Sequence, residues 1–127
     1  MVTFETAVKL KEAGFPQPSF APLQWWYSPA EQLLLACSFE KKPAAQSPYR
    51  FIDQTRPDSP DFWASIKSFC YAPTAPDILK DAKGLYLSPM MHDDWGVFVA
   101  GSREMVGYHH ENPAEACAEA WLKINKK

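Results

Sequence analysis

The stretch that most constrains the fold is a pair of apolar runs, Gln24-Trp25-Trp26-Tyr27 and Leu33-Leu34-Leu35-Ala36-Cys37-Ser38-Phe39. Aromatic and aliphatic residues at this density favour strands, and the short turn-forming link Ser28-Pro29-Ala30-Glu31-Gln32 predicts that the two form a hairpin. A hairpin with one wet face alternates apolar with polar residues. Neither run does. Successive side chains on a strand point to opposite faces, so both faces of this hairpin need cover. Trp25 and Tyr27 share one face and Trp26 takes the other, so at least one of the two faces belongs to a core.

Around that hairpin the chain of 127 residues reads as one α+β domain. Thr3 caps a helix over 4–13, with Glu5 near its positive end and Gly14 followed by Phe15-Pro16 as its stop. Pro16, Pro18 and Pro22 make the next segment an extended connector. Residues 40–61, with Lys41-Lys42, several prolines and many polar residues, predict a long proline-rich surface loop. The segment 61–70 fits either a short helix after Pro60 or an extended stretch before Pro73. Thr74-Ala75-Pro76-Asp77 starts a second helix that ends by Gly84. Leu85–Ser88 and Val97–Ala100 predict a second hairpin, and Met105–His109 either extends that hairpin or adds an edge strand.

Asn112-Pro113-Ala114-Glu115 carries a cap, an N1 proline and a Glu placed to close a capping box. The helix it starts puts Ala116, Cys117, Ala120, Trp121 and Ile124 on one face, against Glu115, Glu119 and Lys123. The expected order is α-β-β-loop-α-β-β-α: a four-stranded, mainly antiparallel sheet between layers of three helices, an α/β/α sandwich.

Three segments, 9–18, 71–80 and 112–122, resemble a family of small uncharacterised proteins carried by phages, prophages and other mobile elements. They read Lys-Leu-Lys-Glu-Ala-Gly-Phe-Pro-Gln-Pro, Tyr-Ala-Pro-Thr-Ala-Pro-Asp-Ile-Leu-Lys and Asn-Pro-Ala-Glu-Ala-Cys-Ala-Glu-Ala-Trp-Leu. The resemblance implies the same α/β/α sandwich and a phage or mobile-element setting. It assigns no activity, so no catalytic residue carries over. Residues 40–70 match it poorly.

Charge and cysteines bound the rest. A net charge of -2 leaves no global basic field, which argues against duplex nucleic acid as a partner. The longest apolar run, Leu33–Cys37, is far short of the roughly twenty residues a membrane-spanning helix needs, and no membrane partner is expected. No signal-peptide pattern follows Met1. Cys37, Cys70 and Cys117 are widely spaced and odd in number, which fits reduced thiols in a cytoplasmic protein, in the host cytosol if phage-encoded.

Candidate chemistry is thin. His109-His110-Glu111 has the groups for zinc or acid–base work, but adjacent histidines on a strand diverge, and the bland reading is a turn into the Asn112 cap. Met91-His92-Asp93-Asp94-Trp95-Gly96 reads as a turn in which Gly96 takes positive φ. No glycine-rich phosphate loop or nucleophile elbow occurs, and no metal or cofactor is expected.

The aromatics carry more. Trp25, Tyr27 and Trp63, with Lys41, Lys42, Arg50 and Arg56, form the candidate ligand- or partner-binding set, since rings stack bases and cations hold phosphates. The leading expectation is a non-enzymatic accessory protein that binds a host or phage protein. The alternative is a binder of a nucleotide-like ligand, and a small hydrolase using His92 or His109 ranks third. A homodimer follows if three helices leave part of the sheet uncovered.

Overall fold

The computed structural model describes residues 1–39, 49–53, 61–64, 66 and 68–125. The chain divides into two compact units, one of Pro16–Ala72 and one of Met1–Phe15 with Pro73–Lys127. Among the described residues the fold is α+β, with three α-helices and two antiparallel sheets.

The first unit, Pro16–Ala72, is built on the expected hairpin. β1 (Trp25–Tyr27) pairs antiparallel with β2 (Leu33–Phe39), with Trp26 opposite Leu34. Further strands extend it on both sides: β3 (Tyr49–Ile52), β4 (Asp61–Ala64) and β5 (Cys70–Tyr71), in the order β4-β3-β2-β1-β5. Trp26, Leu34, Ala36, Phe51 and Phe69 bury one face, with Phe20, Ile66 and Tyr71 packed against them. Phe51 makes an edge contact with Phe20 and a tilted one with Phe69, a geometry aromatic pairs prefer. Trp25, Tyr27, Leu33 and Leu35 on the opposite face are half-buried, so neither side of the hairpin lies fully in water.

The second unit holds all three described helices. α1 (Phe4–Glu12) is capped by Thr3 and stops at Gly14, whose φ of 93° suits glycine. α2 (Ala75–Asp81) has the full Thr74–Asp77 capping box. β6 (Leu85–Pro89), β7 (Trp95–Val99) and β8 (Met105–His109) form a three-stranded sheet in that order. α3 (Pro113–Ile124) packs on β7 and β8, with α1 and α2 beside it. Gly107 makes the close approach possible, because a Cβ there would strike the Ala116 carbonyl and come within 2.9 Å of the Ala120 methyl. Phe15 meets Trp121 edge to face at 5.2 Å, and the Trp121 indole N–H donates to Asp81 at 2.8 Å.

Several expectations are corrected. The two hairpins do not merge into one four-stranded sheet between helical layers. β2 pairs with β3 instead, and the described strands form two separate sheets, of five and three strands, in place of the single four-stranded sheet expected. Tyr49–Ile52 is a strand inside the segment expected to be loop, while residues 40–48 and 54–60 lie outside the described residues. The ambiguous 61–70 stretch is extended at both ends, as β4 and β5. Ile124, expected on the packed face of α3, is 48% exposed in the final turn. Glu115 does not close a capping box on Asn112. It accepts from the Thr3 N–H at 2.6 Å and the Thr6 hydroxyl at 2.7 Å, tying α1 to α3. The Asn112 N–H donates instead to His109 Nδ1.

Candidate functional site

The three-stranded sheet has an inner row and an outer row of side chains. Leu87, Val97 and Gly107 stand opposite one another across the ladder, and Gly107 faces α3. The alternate positions therefore point away from the helix. They are Tyr86 and Ser88 on β6, Gly96 and Phe98 on β7, and Met105 and Tyr108 on β8. A bulge at Val106 brings Met105 opposite Phe98 and keeps it on this outer face.

That outer face is apolar and open. Tyr86 is 45%, Met105 47% and Tyr108 39% exposed, and Met90 at the end of β6 is 41% exposed. The Tyr86 and Phe98 rings stack at 5.6 Å with a 25° interplanar angle. Gly96 lies beneath the Met90 sulfur and the Phe98 ring, side-chain atoms that would have to shift to admit a Cβ. Aromatic rings and thioethers are the groups that dominate protein recognition surfaces, the rings by rigid area and methionine by adaptability. At one end, the Tyr108 hydroxyl donates to Asp94 at 2.8 Å. That bond, strengthened by the carboxylate charge, holds the phenol proton and raises its pKa above the usual tyrosine value.

The β6–β7 connection is a 3-10 turn, Met91–Asp93, as the turn-rich sequence predicts. The positive φ falls on His92 and Asp93, however, and not on Gly96, which is a strand residue. His92 and Asp93 are exposed. His109 Nδ1 accepts from the Glu111 and Asn112 N–H groups at 3.1 and 2.9 Å. It therefore organises the turn into α3, and its ring stacks on His110 at 4.6 Å. No cluster of three or more His, Cys, Asp or Glu side chains able to hold a metal occurs among the described residues.

The binding set read from the sequence lies in the other unit, on the five-stranded sheet. Trp25 pairs with Leu35 and Leu35 with Ile52, so Trp25, Tyr27, Arg50 and Ile52 occupy one face, opposite the Trp26 and Phe51 core. The ladder sets Trp63 across from Arg50. Trp25, Tyr27 and Arg50 are half-buried. Lys41, Lys42 and Arg56 lie outside the described residues.

Sequence reasoning missed the Tyr86–Phe98–Tyr108 face. Its signal was faint: β6 and β8 each carry a single aromatic, Tyr86 and Tyr108, β7 carries Trp95 and Phe98 on opposite faces, and which parity faces outward depends on where α3 sits. Among the described residues, no helix is long and apolar enough to cross a membrane. No known protein family, no curated protein and no solved structure matches the chain.

Proposed function

We propose that this protein is a non-enzymatic interaction module that binds a protein partner through the outer face of its three-stranded sheet. Exposed Tyr86, Met90, Met105 and Tyr108 around the Tyr86–Phe98 stack support this reading. Contiguous exposed apolar surface of this kind, with polar groups at its margin, is a common mark of a protein-binding site. The accessory role in a phage or mobile element, and the cytoplasmic setting, rest on the sequence resemblance and cysteine usage and belong to the same proposal.

The test compares the wild-type chain with a Tyr86→Ser, Phe98→Ser double variant as baits in host lysate under gentle conditions. A partner retained by the wild type and lost by a folded variant is the expected outcome. Identical partner sets, or none for either bait, would remove the proposal's basis.

A second reading, binding of a nucleotide-like ligand, is favoured by one observation. The five-stranded sheet places Trp25, Tyr27 and Arg50 on one face, with Trp63 across the ladder from Arg50. Titration with nucleoside mono- and triphosphates, followed by tryptophan fluorescence, checks it. Saturable quenching that disappears in Arg50→Ala supports this reading, and unchanged emission removes it.

A further inference from the structure

The outer face of the three-stranded sheet is apolar across its middle and acidic at one end. Asp94 immediately precedes β7 in extended conformation, with φ -75° and ψ 152°, so it continues the alternation of the strand and takes the parity of Gly96 and Phe98. The Tyr108 hydroxyl donates to Asp94 Oδ2 at 2.8 Å, which puts the carboxylate on the same face as the rings. The Phe98 ring lies over Gly96, and Gly96 stands opposite Tyr108 on the ladder. Phe98, Tyr108 and Asp94 therefore gather around one glycine, with the Met90 sulfur over it and the Tyr86 ring stacked on Phe98.

The charge at this end has one sign. The two connections there, residues 90–94 and 110–112, hold Asp93, Asp94 and Glu111 with two histidines and no lysine or arginine. The opposite end, with Lys83, Arg103 and Glu104, is mixed. Among the described residues, the Asp94 carboxylate has the Tyr108 hydroxyl as a partner and no cation, and the Lys9–Glu5 and Lys123–Glu119 pairs lie elsewhere. An ionised carboxylate accepts about four hydrogen bonds, so most of its capacity is left for an incoming donor. Ring faces attract cations. A guanidinium can do both things at once, stacking on a ring and bonding a carboxylate through two N–H groups, whereas an ammonium acts as a point charge.

We propose that the outer face takes an arginine-bearing segment of a protein partner, with the guanidinium at Asp94 against the Tyr108 and Phe98 rings and an apolar neighbour over the Tyr86–Phe98 stack. This rests on the outer face being the binding surface and adds the chemistry of what binds there. The single sign of charge at the Asp94 end also repels acidic partners.

In the experiment, short random peptides displayed on yeast are sorted for binding to the wild-type chain, to Asp94→Asn and to the Tyr86→Ser, Phe98→Ser double variant. Asp94→Asn keeps an acceptor for the Tyr108 hydroxyl and removes the charge, and circular dichroism checks that each variant is folded. The wild type is expected to enrich peptides with arginine beside an aromatic or aliphatic residue. A synthetic peptide from that set should bind Asp94→Asn about tenfold more weakly, and lose a similar factor when its arginine is replaced by lysine. The double variant should not bind it. Asp94→Lys should turn the selection towards peptides with aspartate or glutamate. Peptides that enrich without arginine, or bind Asp94→Asn as tightly as the wild type, overturn the arginine assignment. If the double variant still loses those peptides, the face stands as the binding surface. Peptides retained by the double variant, or no enrichment by the wild type, overturn both.

Discussion

Gly107 and Gly96 show how much a single missing side chain can decide. Both are glycines inside strands with ordinary backbone angles, yet they face opposite sides of one sheet. At Gly107 a methyl would meet the α3 backbone at Ala116, which cannot swing aside. Gly107→Ala should destabilise the protein by about 1–3 kcal/mol, read from urea unfolding. At Gly96, itself buried, the obstacles are the Met90 sulfur at 2.8 Å and the Phe98 ring, side chains that can shift where a backbone cannot. Gly96→Ala should cost less, and a larger loss than at Gly107 would contradict the packing described.

Cys117 belongs to the same scale. Burial against the sheet pushes its thiol pKa up to about 11, so it carries little thiolate near neutral pH. A group protonated more tightly in the folded state than in the unfolded one stabilises the fold at low pH. That contribution is complete below the ordinary thiol value of 9.0 and is lost as pH rises towards about 11. Native alkylation at mildly alkaline pH should modify half-buried Cys37 before Cys70 and Cys117, which are buried. Peptide mass spectrometry reads the order.

At the scale of elements, the helix starts were legible and their wiring was not. Thr3, Thr74 and Asn112 all cap as their local sequence predicts, because a cap needs only residues two or three positions away. Asn112 also donates through its amide to the Met1 carbonyl at 2.7 Å. Asn112→Ala should therefore cost about 1–2 kcal/mol, towards the upper end for a cap. The Asn112–Glu115 pattern predicted a capping box, but the carboxylate turns to α1, where the Thr3 N–H and the Thr6 hydroxyl are both available. Those donors are more than a hundred positions away, out of reach of any local reading. Glu115→Ala should speed amide exchange across residues 4–12 while leaving α3 protected. Uniform exchange changes in both helices would show that the link does not hold α1 in particular.

Across the whole molecule, the decisive events are strand pairings. The apolar runs of β1 and β2 form the expected hairpin, but of the two faces expected to be covered one is buried and the other only half-buried. The neighbour that completes the sheet was misassigned. Residues 49–52 hide between polar and proline-rich flanks, yet they supply Phe51, which is fully buried between Phe20 and Phe69. Phe51→Ala should cost about 3–5 kcal/mol and remove aromatic near-ultraviolet dichroism. A near-neutral result would mean that β3 is not a core strand.

What the sequence alone determined is what acts over a few residues: where helices begin and stop, which runs are strands, and which link is short enough for a hairpin. The candidate binding residues follow the same division. Trp25, Tyr27, Arg50 and Trp63 could be proposed from residue type, but their arrangement on the five-stranded sheet depends on β3 and β4 joining β2. The outward display of Tyr86, Phe98 and Tyr108 was decided only when α3 covered the opposite face through Gly107. The physical reason is common to both cases. A strand's two faces are equivalent until something distant in sequence packs on one of them, and only that packing decides which side chains are buried and which are presented.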